Sequence, residues 1–117
     1  MEVRIGLDVQ YQEDTESGQN TAFYAVLCPD EAKAIKMTKW LAAKGCRIPL
    51  IDKLGQSCLF YVARDGRLAL AKCLVIELKV DINSVDVFGQ TAFFYACREG
   101  HFEVCRLLAD CGTDVDL

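Results

Sequence analysis

Cys97, His101 and Cys105 stand four residues apart with Cys111 close behind, and thiolate and imidazole are ordinary ligands of zinc. On an unbroken helix that spacing would place all three on one face. Gly100 sits just before His101 and breaks such a helix. The two cysteines also suit small apolar core positions, so no metal site and no cofactor is expected. His101 is the single histidine, and no third residue is marked out to orient a Cys–His nucleophilic pair. The acidic clusters Asp14, Glu16 and Asp30, Glu31 read as solvated loop and helix-start charges rather than an acid–base couple. No catalytic residue is assigned, and the chain is not expected to be an enzyme.

The elements around these residues must come from 117 residues, one domain's worth of chain, with 52% apolar residues to build a core. A net charge of −4 argues against a nucleic-acid groove, which needs clustered Lys and Arg. The sequence contains no apolar run long enough to span a membrane and does not open on a signal peptide, so no direct membrane contact is expected. Seven cysteines, Cys28, Cys46, Cys58, Cys73, Cys97, Cys105 and Cys111, form an odd set without a Cys-x-x-Cys pair. They suit free thiols in a reducing compartment, cytoplasm or nucleus.

The strongest organising signal is a repeat. Gly55-Gln56-Ser57-Cys58-Leu59-Phe60-Tyr61-Val62-Ala63-Arg64-Asp65-Gly66 returns 34 residues later as Gly89-Gln90-Thr91-Ala92-Phe93-Phe94-Tyr95-Ala96-Cys97-Arg98-Glu99-Gly100. A period of that length marks stacked helical units, none of which can bury its apolar face alone. In the last unit Asp86-Val87-Phe88-Gly89 is a turn signal. Thr91 caps a short helix to about Glu99. Gly100 breaks it, and a second helix buries Phe102, Val104, Cys105, Leu107 and Leu108 before ending at Gly112. The middle unit repeats this with Ser57 as cap and Gly66 as break. Leu78 replaces its closing Gly, and one extra residue is expected to be taken up in the loop before Asp81. The first unit begins at Gly18-Gln19-Asn20-Thr21 and holds about four extra residues near Cys28-Pro29-Asp30-Glu31. Its second helix is expected to bury Ile35, Met37, Trp40 and Leu41. Tyr24, Tyr61 and Tyr95 recur at one position and predict packing between units.

Asp-x-x-Gly-x-Thr-Ala-Phe-Phe-x-Ala, then Gly-His-x-x-Val-x-x-Leu-Leu, then Gly-Thr-Asp-Val-Asp, resembles the ankyrin repeat family. The resemblance covers residues 14 to 117 and implies an all-α solenoid of stacked helix-turn-helix units with β-hairpin-like connecting loops. Phe60 and Phe94 stand where the family has His. Losing a hydrogen bond there costs about 1 kcal/mol, while burying a Phe returns roughly 1.5–3 kcal/mol. Cys58 and Ala92 replace the family's Pro. The units fall at 14–51, 52–85 and 86–117, with 1–13 the tail of a preceding truncated repeat, marked by Gly6-Leu7-Asp8-Val9-Gln10. No polar capping repeat is evident at either end, so self-association through uncapped ends is expected.

By the same resemblance the function is that of a protein–protein interaction module, binding a partner protein through its concave face without catalysis. That face would hold Lys53, Leu54, Gln56, Arg64 and Asp65 from the middle unit, and Val87, Phe88, Gln90, Arg98 and Glu99 from the last. Leu54, Val87 and Phe88 are the pointed members, because apolar residues at turn tips have no evident role in folding. The main alternative is a regulatory or substrate-docking portion of a larger multidomain enzyme, including a membrane-embedded one, whose active site is outside this chain. A redox-sensing or metal-binding use of the cysteines is a third reading.

Overall fold

The computed structural model describes residues 21–45 and 51–113. The tail expected over 1–13, the Gly18-Gln19-Asn20 start, Asp14, Glu16, Cys46 and the final Asp114-Val115-Asp116-Leu117 lie outside the described residues. Six helices are described: α1 (Thr21–Val26), α2 (Glu31–Ala43), α3 (Cys58–Asp65), α4 (Leu68–Lys72, continued by a π-helical turn Cys73–Glu77), α5 (Ala92–Arg98) and α6 (Phe102–Asp110). Each pair forms one unit, and α3 packs on α5 while α4 packs on both α2 and α6. The core runs unbroken between the units through Phe23, Leu41, Phe60, Leu70, Leu74 and Leu108.

The breaks between paired helices follow one geometry. Gly66 takes φ 73° and Gly100 φ 78°. Each passes its own N–H and that of the next residue back to the preceding helix, as in Gly66 to the Ala63 carbonyl (3.3 Å) and Arg67 to that of Val62 (3.1 Å). This is the glycine-closed cap the sequence predicts. The N-terminal caps diverge. Thr91 accepts the Phe94 N–H at 3.2 Å through its hydroxyl. Ser57 does not cap with its side chain. The Phe60 N–H goes to the Ser57 backbone carbonyl (3.0 Å), and the buried Ser57 hydroxyl has no partner. An unsatisfied buried hydroxyl costs stability, so Ser57→Ala is expected to leave the melting temperature unchanged or raise it; a thermal melt decides.

The extra residue of the middle unit is not taken up in a loop. It widens the end of α4 into the π turn, where the Leu78 N–H reaches the Cys73 carbonyl (3.0 Å) and the Val80 N–H that of Leu74 (3.1 Å). Keeping Leu74 and Val75 buried holds the helix in phase, so the surplus residue enters the helix itself. The left-handed position then falls on Lys79 at φ 54°, unfavourable for a residue with a Cβ. Lys79→Gly is expected to stabilise the fold by about 0.5–1 kcal/mol, net of glycine's greater chain entropy, measurable by urea unfolding.

In α2 the buried residues are Ala34, Thr38 and Leu41. Met37 and Trp40 are exposed, against expectation, and Ile35 is half-buried. The Thr38 hydroxyl is satisfied within the helix, donating to the Ala34 carbonyl (2.7 Å). Phe102 is likewise exposed in α6. Nor is Glu31 a solvated charge. It takes the Arg67 guanidinium at 2.8 Å and the Leu70 N–H at 2.9 Å, capping the next unit's α4 from across the interface. Asp30 caps its own helix at the Lys33 N–H (3.1 Å).

Candidate binding face

Two tight loops project the tip residues, and each is built on one aspartate. Asp52 Oδ1 accepts the backbone N–H of Leu54 and of Gln56, both at 2.9 Å. Asp86 Oδ1 accepts those of Phe88 (2.9 Å) and Gln90 (3.0 Å). Backbone bonds close each loop, Asp52 N–H to the Gln56 carbonyl (3.0 Å) and Asp86 N–H to that of Gln90 (2.9 Å). An antiparallel bridge joins Ile51 and Ser57, which is the hairpin character expected of these connections. The Val87 N–H donates to the Leu54 carbonyl at 2.9 Å, tying one tip to the next. A Cβ on Gly55 would come within 3.3 Å of the Asp86 Cα, so the small residue there lets the loops close on each other.

On this frame the apolar tips stand in solvent. Val87 is 63% exposed, Phe88 64% and Leu54 44%, while Lys53, Asp65, Arg98 and Glu99 are exposed and Gln90 is half-buried. Gln56 is different. It is only 3% exposed, and its Nε2 donates to Asp86 Oδ2 (2.9 Å) and to the Tyr95 hydroxyl (3.3 Å). Its Oε1 accepts from the Arg64 guanidinium (2.8 Å). Gln56 joins units and offers little to a partner. Arg64 does the same, its guanidinium lying 5.1 Å from the Tyr61 ring and 5.2 Å from the Tyr95 ring, close enough for cation–π attraction to both. Arg98 covers the Tyr95 ring at 4.9 Å and pairs with Glu99 at 3.0 Å.

The aspartates were missed as functional residues in the sequence, where Asp86 signals only a turn. Their second oxygens anchor the tyrosines: Tyr61 donates to Asp52 Oδ2 and Tyr95 to Asp86 Oδ2 (2.5 Å). Burial alone would raise the Asp86 carboxyl. Hydrogen bonds from Tyr95, Gln56 and the Gln90 and Phe88 amides outweigh it and hold the group below its ordinary value. Burial, the bond to Asp86 and that carboxylate's charge push the Tyr95 phenol up. The Asp-x-x-Gly-x pattern at both 52 and 86 is the signal that could have found them. Tyr61 and Tyr95 also stack edge-on against Phe23 (5.7 Å) and Phe60 (6.0 Å), whereas Tyr24 is exposed.

The Cys97–His101–Cys105 spacing does not converge. His101 turns to the preceding unit, its Nε2–H donating to the Arg64 carbonyl at 2.8 Å. Cys97 and Cys105 instead face each other, Sγ to Sγ at 3.0 Å. Among the described residues no group of three or more His, Cys, Asp or Glu side chains is arranged to hold a metal ion. None of the described helices is long and apolar enough to cross a membrane.

Stacked helix pairs, glycine-closed between helices and joined by projecting loops, define a repeat solenoid. A family model of ankyrin repeats, three copies, matches residues 22–117, and the chain belongs to the ankyrin repeat family. Ankyrin repeats are generally protein–protein interaction modules, and the family is typically non-catalytic. Among curated proteins no sequence matches this chain as a relative.

Proposed function

We propose that the chain binds a partner protein through its hairpin tips, without catalysis, with Leu54, Val87 and Phe88 as apolar anchors. The observation that carries this reading is the contrast within each loop: a buried carboxylate fixes the backbone, and the side chains above it are left in water. Exposed anchors on a rigid frame lose little conformational freedom on binding, which favours affinity. Lys53, Asp65, Gln90, Arg98 and Glu99 form the polar rim around them. Gln56 and Arg64 support the surface from beneath. The partner's complementary feature is an apolar patch or pocket. The odd count of seven cysteines favours a site of action in the cytoplasm or nucleus.

The test is site-specific photocrosslinking in cell lysate. A benzophenone side chain replaces Phe88 in one sample and the exposed Glu103 of α6 in another. A protein attached from position 88 and not from position 103 supports the tips. Equal attachment from both, or attachment from 103 alone, removes them as the binding surface.

Self-association has its own support. Phe60 is 1% exposed under the last unit, while its equivalent Phe94 is 37% exposed. A second copy stacked on the Phe94 side would bury that ring as Phe60 is buried. Light scattering at rising concentration should then show mass above the monomer.

A further inference from the structure

The last unit holds two thiols in contact. Cys97, in the final turn of α5, and Cys105, within α6, have their Sγ atoms 3.0 Å apart. That is about 1 Å beyond a disulfide bond and inside ordinary van der Waals contact. The turn at Gly100 keeps the helices side by side, with the His101 N–H on the Ala96 carbonyl (2.9 Å). Folding does not ask for sulfur here, because the equivalent residues of the middle unit are the buried alanines Ala63 and Ala71. Cys97 is exposed and Cys105 is half-buried. His101 points to Arg64, so the pair is left to react with itself.

We propose that Cys97 and Cys105 form an oxidisable dithiol site whose reactant is a hydroperoxide. The exposed Cys97 thiolate attacks the terminal peroxide oxygen. The O–O bond breaks, the departing oxygen takes a proton to leave as alcohol or water, and Cys97 becomes a sulfenic acid. The Cys105 sulfur then attacks the Cys97 sulfur. An S–S bond forms, the S–O bond breaks, and the hydroxide leaves as water with the Cys105 proton. Two thiols give up two electrons and two protons to one peroxide. The order of attack follows from exposure. Burial, together with the hydrogen bond and charge of Cys97, pushes the Cys105 thiol up to about 12, so it stays protonated and reacts second. The cross-link ties α5 to α6 beside Phe94. This site is independent of the tip surface.

The test treats the full chain with one equivalent of hydrogen peroxide, blocks remaining thiols, and maps the peptides by mass. The expected result is the loss of two hydrogens, a fall from seven to five free thiols, and a single Cys97–Cys105 cross-link within one chain. Cys105→Ala, which copies Ala71 and is therefore tolerated by the fold, should abolish the cross-link and leave a sulfenic acid on Cys97 that a dimedone probe traps. Circular dichroism confirms the helices in that variant. Cross-links to other cysteines, cross-links between chains, or dimedone on Cys105 in a Cys97→Ser variant at the yield found on Cys97 in Cys105→Ala would each overturn the assignment.

Discussion

Replacing Asp86 by alanine is expected to destabilise the fold by roughly 3 kcal/mol, since bonds to an ionised group contribute about 1.5–3 kcal/mol each but not additively. Four groups lose their acceptor at once: the Phe88 and Gln90 amides, Gln56 Nε2 and the Tyr95 hydroxyl. Gln56 and Tyr95 are buried, so their loss is not made good by water. For a domain of this size the melting temperature should fall by roughly 10–20 °C. Asp86→Asn keeps an acceptor for the two amides but puts a donor opposite the Gln56 donor, so it should fall between. The acid dependence has a definite sign. The folded carboxyl is held below its ordinary value of 3.8, so its ionisation stabilises the fold above that value. The contribution disappears as pH falls through the depressed one. The gap between wild type and Asp86→Ala should therefore begin to narrow below about pH 4 and go on narrowing as pH falls through the depressed value. Urea unfolding across pH checks this, and a constant gap between them would show that the loop is held without the charge.

Gly66→Ala should cost roughly 2–4 kcal/mol, from a positive φ that alanine resists and from overpacking. At φ 73° a Cβ would sit within 2.7 Å of the His101 ring, displacing the imidazole from the Arg64 carbonyl. Gly100→Ala is the comparison. Its φ of 78° is nearly the same, but a Cβ there meets nothing within 4 Å, so only backbone strain of about 1–2 kcal/mol remains. Adding His101→Ala to Gly66→Ala relieves the clash and should recover part of the loss beyond what the single changes sum to. Equal destabilisation by Gly66→Ala and Gly100→Ala, measured by denaturant unfolding, would contradict the steric account.

Sequence reasoning reached what is written locally. The repeat, the breaks at Gly66 and Gly100, and the Thr91 cap each depend on a few adjacent residues, and residue identity is enough to predict them. Gln56 shows where that stops. Its partners Asp86 and Tyr95 lie 30 and 39 residues away, so a residue that reads as exposed beside a turn is buried by the next unit. Glu31 behaves the same way through Arg67 and Leu70. In α2 the expected burial of Leu41 holds, but Met37 and Trp40 are exposed and Ala34 and Thr38 take the other buried positions. Leu54, Val87 and Phe88 are exposed as expected, because neighbouring tips touch through their backbones and leave these side chains in solvent. The Phe-for-His exchange is compensated by burial at Phe60 alone, Phe94 remaining open.

The central claim is that these tips carry the binding energy. The decisive measurement is the affinity of the crosslinked partner, by calorimetry, for the wild-type chain and for Leu54→Asp/Phe88→Asp, with circular dichroism confirming equal helicity. Neither side chain is buried, so the fold should persist. Loss of two apolar anchors is expected to weaken binding by about 100-fold or more. Unchanged affinity would contradict the account and move the binding surface away from the tips.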